Sequence, residues 1–170
     1  MNILRILIKY VDLSSNWSGK IVSWLIFFLI LELAYDTVAR YGFNAPTAWS
    51  YDISYMLYGA LFMLGAAYTL LVDEHIRVEA FYERFSPRAR AFIDLIGYLV
   101  FFFPSVGVLI YFGIDFAWES WKLRETSITF WAPPVYPLKV LIPIAAFLLL
   151  IQGVAKFIRN LVFIIKGIKF

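Results

Sequence analysis

The chain has no cysteine and a single histidine, His75. Without cysteine there can be no disulfide, thiolate metal site, iron–sulfur cluster or cysteine nucleophile. One histidine in a charged connection, outside the apolar segments, argues against a membrane haem held by two axial histidines. Serines, threonines and tyrosines are present, but no base lies in reach to build a catalytic triad. No cofactor is expected. Charge is also missing from long stretches: residues 53–72 and 95–114 each run for 20 residues without Asp, Glu, Lys or Arg.

What is present is apolar. The chain is 62% hydrophobic and 20% aromatic, well beyond an ordinary soluble domain. At 1.5 Å per helical residue, a 20-residue run spans about 30 Å, the thickness of bilayer hydrocarbon. Two further stretches are nearly as apolar, so transmembrane helices are expected over 18–38, 51–72, 87–121 and 138–158. The reading is an all-α, single four-helix membrane bundle over residues 1–170, with too little chain left for an extramembrane domain. Gly42, Asn44 and Pro46 break the first connection. Ser86–Pro87 supplies a cap and a first-turn proline for the third helix. Pro104 predicts a kink within it. Pro133, Pro134 and Pro137 exclude regular helix over 122–137. No A-x-A-like cleavage site follows the first apolar stretch, which therefore reads as an uncleaved helix. Residues 1–17 place Arg5, Lys9 and Asp12 on one face and apolar residues on the others. This predicts an amphipathic interfacial helix that turns inward at Ser14–Ser15–Asn16.

Charge sets the orientation. Eleven of the lysines and arginines fall on the side holding both termini and the 73–85 connection, and four fall on the other side. The positive-inside rule then puts both termini in the cytoplasm. Trp49, Trp118, Trp121 and Trp131 gather at the outer helix ends, where indole rings favour the interface. The pI near 9.1 belongs to these membrane-flanking residues and the anionic leaflet they face, and no nucleic-acid partner is expected. The 73–85 connection is expected to lie flat on the cytoplasmic surface, Ile76, Val78 and Phe81 inward.

Glu32 is the most informative single residue, an acid inside the first helix. Ionised acids at mid-bilayer cost about 2.5–3.5 kcal/mol on insertion scales. One reading makes it the proton and substrate site of a self-sufficient small exporter. The other notes that Glu32, Asp36 and Arg40 recur every four residues and form a polar stripe for a protein partner, with Arg40 paired to Asp36. On the second helix, Gly59 with Ala66 and Ala60 with Ala67 form a small-residue stripe suited to close helix approach. In the outer connection, Trp131 and Tyr136 are either interfacial belt or binding anchors. Asp115, Glu119 and Lys122 sit where water can reach them.

Ordered strings then matter. Arg40–Tyr41–Gly42–Phe43, Trp49 with Asp52, and Leu64–Gly65–Ala66–Ala67 lead to His75–Ile76–Arg77–Val78–Glu79. Ser127, Trp131–Ala132–Pro133–Pro134–Val135–Tyr136–Pro137–Leu138–Lys139, Ile142–Pro143 and Gln152–Gly153 follow. From about residue 20 to 160 this set resembles the small membrane subunit (DctQ-like) of tripartite ATP-independent periplasmic, or TRAP, transporters. Asp52 stands where that family's glutamate is expected, a change that keeps the charge. The resemblance implies a non-catalytic subunit in a bacterial inner membrane that scaffolds a large transport subunit. It also implies a periplasmic binding protein, a sodium gradient as driving force and an organic acid as cargo. The candidate interface residues are Glu32, Asp36, Arg40, Asp52, Gly59, Ala66, Trp131 and Tyr136. The alternatives are the Glu32 exporter and the membrane anchor of a redox enzyme.

Overall fold

Every element in the computed structural model, which describes residues 2–72 and 85–167, is helical. The expected surface stretch 73–84 lies outside the described residues. Helix α1 runs from Asn2–Gly42. The turn expected at Ser14–Asn16 does not occur: one helix of 41 residues passes straight through it. The reason is where the hydroxyls go. Ser14 Oγ donates to the Val11 carbonyl (2.7 Å) and Ser18 Oγ to the Ser15 carbonyl (2.9 Å), back-bonding that leaves the helix ladder intact. The helix stops after Gly42, where Asn44 takes a left-handed φ of 53° and Ala45 N–H closes onto the Ala39 carbonyl at 2.9 Å.

Helix α2 covers Ser50–Leu71. Helix α3 covers Pro87–Gly97 and opens as expected, with Ser86 Oγ accepting from Ala89 N–H and Pro87 in the first turn. The proline effect at 104 takes the form of a π turn at Tyr98–Phe102, before α4 begins at Phe103–Leu123. Pro104 has no N–H to give the carbonyl four residues back and its ring crowds that carbonyl. The chain widens there, and Phe103 N–H reaches five residues back to Tyr98. Helix α5 spans Tyr136–Lys166, eight residues beyond the expected end, with Pro143 inside it. Between α4 and α5 the chain folds back on itself. Ser127 N–H meets the Pro133 carbonyl at 2.8 Å and Val135 N–H meets the Glu125 carbonyl at 3.0 Å.

Four helical stretches are long and apolar enough to cross a membrane, as expected: α1, α2, α3 through α4, and α5. They stand in a row. In the order α1, α2, α5, α4, each packs on the next and α1 also reaches α5, while α1 and α2 have no substantial packing with α4. Glycines set several of the close approaches. A Cβ on Gly19 would lie 2.5 Å from the Tyr68 ring, and one on Gly113 would lie 3.1 Å from Ile142. On Gly153 it would lie 2.1 Å from the ring of Phe102 in the π turn. Small residues at crossings are how membrane helices gain van der Waals contact without a hydrophobic drive. Because the helices do not close into a ring, the interior is thin, and large apolar side chains are exposed on every helix.

Candidate subunit interface

The acids near one end of the row are held by neighbouring elements. Glu32 accepts from the hydroxyls of Ser50 and Ser54 on α2. Asp36 accepts from Thr47 Oγ1 at 2.5 Å and from Arg40 at 2.8 Å. Asp52, 3% exposed, accepts from Ser127 at 2.9 Å and Thr129 at 2.6 Å, tying the 125–135 loop to the first turn of α2. Lys139 at the start of α5 bonds Glu125 at 2.5 Å and lowers that carboxyl below its ordinary value. The same ammonium lies 4.0 Å over the Phe116 ring. Each acid thereby fastens one element to another.

The eight residues singled out from the sequence divide accordingly. The hydrogen bonds of Glu32, Asp36 and Asp52 run inside the chain, and a Cβ on Gly59 would lie 3.8 Å from Leu138 of α5. The two acids of the polar stripe thus bond within the chain. Ala66 is half-buried and Arg40 is exposed beside Asp36. Trp131 is exposed on the loop. Tyr136 packs edge-on against Trp121, ring centres 4.8 Å apart, with the Arg124 guanidinium 5.6 Å above it.

A second polar cluster, at the opposite end, was not singled out from the sequence. Gln152 is 0% exposed: its Oε1 accepts from Ser15 at 2.8 Å and its Nε2 donates to Asp12 at 3.3 Å. Arg159, two turns on, pairs with the other Asp12 oxygen. Ser18 also donates to the Leu64 carbonyl at 3.0 Å, so α1 is pinned to α5 and α2 together. The available signal was a glutamine inside an otherwise apolar helix, which in hydrocarbon has to find partners. A cavity of about 730 Å³ opens beside this cluster, lined by Ile6, Lys9, Tyr10, Leu13 and Leu71 among others. A smaller one, about 260 Å³, lies at the far end between α4 and α5. Each is lined from one end of the row only.

Residues 29–163 match the family of tripartite ATP-independent periplasmic transporters, DctQ component. No match was found among curated proteins. The matched span starts within α1, takes in the whole 125–135 loop and ends inside α5, well over half of the chain. With four helices of membrane-spanning length behind that match, the chain belongs to the DctQ family and is a membrane component of a transporter, not an enzyme.

Proposed function

We propose that the chain is the scaffold subunit of a sodium-driven TRAP transporter that imports an organic acid across a bacterial inner membrane. The large membrane subunit moves the cargo and a periplasmic protein delivers it. Sodium coupling and cargo class come from the family resemblance; the scaffold role has its own support in this chain. The observation that carries it is Glu32. This embedded acid accepts from two α2 hydroxyls, an arrangement suited to a structural clasp between helices. An exporter would need that carboxylate to face a pathway and exchange its proton.

The orientation in this reading has both termini cytoplasmic, following the lysine and arginine distribution. The 125–135 loop then faces the periplasm, and Arg40, Trp131 and Tyr136 are the candidate contacts for the binding protein or the outer rim of the large subunit. The test is uptake in vesicles. The chain alone is expected to insert and give no uptake. With the large subunit and binding protein present, Glu32→Gln is expected to leave sodium-dependent uptake within about twofold. Uptake by the chain alone, abolished by Glu32→Gln, overturns the scaffold reading in favour of the exporter. Trp131→Ala and Tyr136→Ala are expected to lower uptake in the full complex without affecting insertion.

A further inference from the structure

Helix α2 lies inside the row, with α1 on one side and α5 on the other. Along its N-terminal half only one strip is uncovered: Tyr51, Tyr55, Tyr58 and Phe62, spaced by four, three and four residues. Residues at that spacing share one helix face. Side chains on a helix lean toward its N-terminus, so the hydroxyls of Tyr51 and Tyr55 reach the headgroup level. Tyr58 sits eight residues past Ser50, about 12 Å down the axis. It is 60% exposed, and its hydroxyl has no hydrogen-bond partner among the described residues. The same lean raises its hydroxyl, which still lies about two turns below that of Tyr51, where water is scarce and an unpaired hydroxyl is costly.

The exposed strip of α5 is different. Ile144, Phe147, Val154, Leu161 and Ile165 present no polar atom, and acyl chains satisfy such a surface completely. Acyl chains offer Tyr58 no acceptor. Tyr111 on α4 is another deep exposed tyrosine, but it stands alone, whereas α2 aligns three phenols above a phenylalanine.

We propose that the Tyr51–Tyr55–Tyr58–Phe62 strip is where a transmembrane helix of the large membrane subunit packs. In that contact the Tyr58 hydroxyl donates to an acceptor on the incoming helix, a polar side chain or a carbonyl freed at a helix break. This rests on the scaffold reading above and adds to it the face and the chemistry of the contact. The α5 strip is left to lipid.

The test uses the complete transporter with a photoreactive benzoylphenylalanine at position 58, 111 or 147. Position 58 is expected to link to the large subunit and position 147 to yield lipid adducts only. In a separate measurement, Tyr58→Phe keeps the shape, removes the hydroxyl and is expected to weaken association of the purified subunits about threefold, the worth of an average hydrogen bond between membrane helices. Linking from 111 or 147 in place of 58, or adducts at 58 only to lipid or a second copy, overturns the proposal. If the subunits still co-purify in that case, the scaffold reading survives. Failure of the unmodified chain to co-purify with any large membrane subunit overturns both.

Discussion

Gly153 shows how much one missing methyl group decides in this molecule. It lies in α5 against the Phe102 ring of the π turn, where an added Cβ would come within 2.1 Å of a ring carbon. Phe102 has little room to yield, because Tyr98 and Phe103 pack on it with ring centres 5.2 and 5.5 Å away. Gly153→Ala is therefore expected to destabilise the protein by about 1–3 kcal/mol, the usual cost of overpacking. Gly107 is its natural control, since nothing lies within 4 Å of its added Cβ. Gly107→Ala is expected to be neutral or slightly stabilising, because alanine is the better helix former by up to about 1 kcal/mol. Thermal unfolding of both variants in the same detergent checks the contrast. Equal melting temperatures would show that Phe102 moves freely.

At the scale of the element, Asp52 fastens the 125–135 loop to α2. The loop's one bridge, Thr126 with Pro134, is isolated. The Asp52 carboxylate meanwhile accepts from two hydroxyls of the loop, those of Ser127 and Thr129. Asp52→Ala removes that acceptor, leaving the Ser127 hydroxyl proton without one and Thr129 with only its 3.1 Å bond to Ser127, a loss of about 1–3 kcal/mol. Faster hydrogen exchange is expected over 125–135, with the middle of α2 unaffected. Glu125 adds a pH dependence of known sign. Its carboxyl is held below the ordinary value of 4.5 by the Lys139 hydrogen bond. Its contribution to loop stability is complete above that value and is lost as the pH falls through the lowered one. Acidification below about pH 4.5 is expected to loosen the loop, and Glu125→Gln is expected to remove that part of the pH response. An unchanged exchange profile between neutral and acid pH would refute the coupling.

At the scale of the whole molecule, the row predicts which helices can be joined. The native chain has no cysteine, so paired substitutions report contact without background. Cysteines at 59 and 138, which face each other across α2 and α5, are expected to crosslink under mild oxidation. Cysteines at 30 and 108, on the two edge helices, are expected not to, since α1 and α4 do not pack together. A closed four-helix ring would bring those two helices into contact. Efficient 30–108 crosslinking in isolated monomers would therefore refute the row. The open arrangement also explains why so little of the chain is buried: α4 packs on α5 and has no substantial contact with α1 or α2.

Hydropathy alone determines that this chain is helical and crosses a membrane four times, because in hydrocarbon every backbone N–H and C=O must be paired within its own segment. The Ser86 cap and the disturbance ahead of Pro104 are legible for the same local reason: a side chain or a missing N–H acts within one turn. The order of the helices in the row is different. In lipid no hydrophobic gradient says which faces must meet, so small residues such as Gly153 and polar pairs such as Ser15 with Gln152 choose the neighbours, and those pairs lie 137 residues apart in sequence. The same holds for α1, whose serines read as a turn until tertiary contact gives Ser15 a glutamine to bond. Glu32 is the sharpest case. Its spacing with Asp36 and Arg40 reveals a shared face, but only the position of α2, with Ser50 and Ser54 opposite, gives Glu32 its partners within the chain.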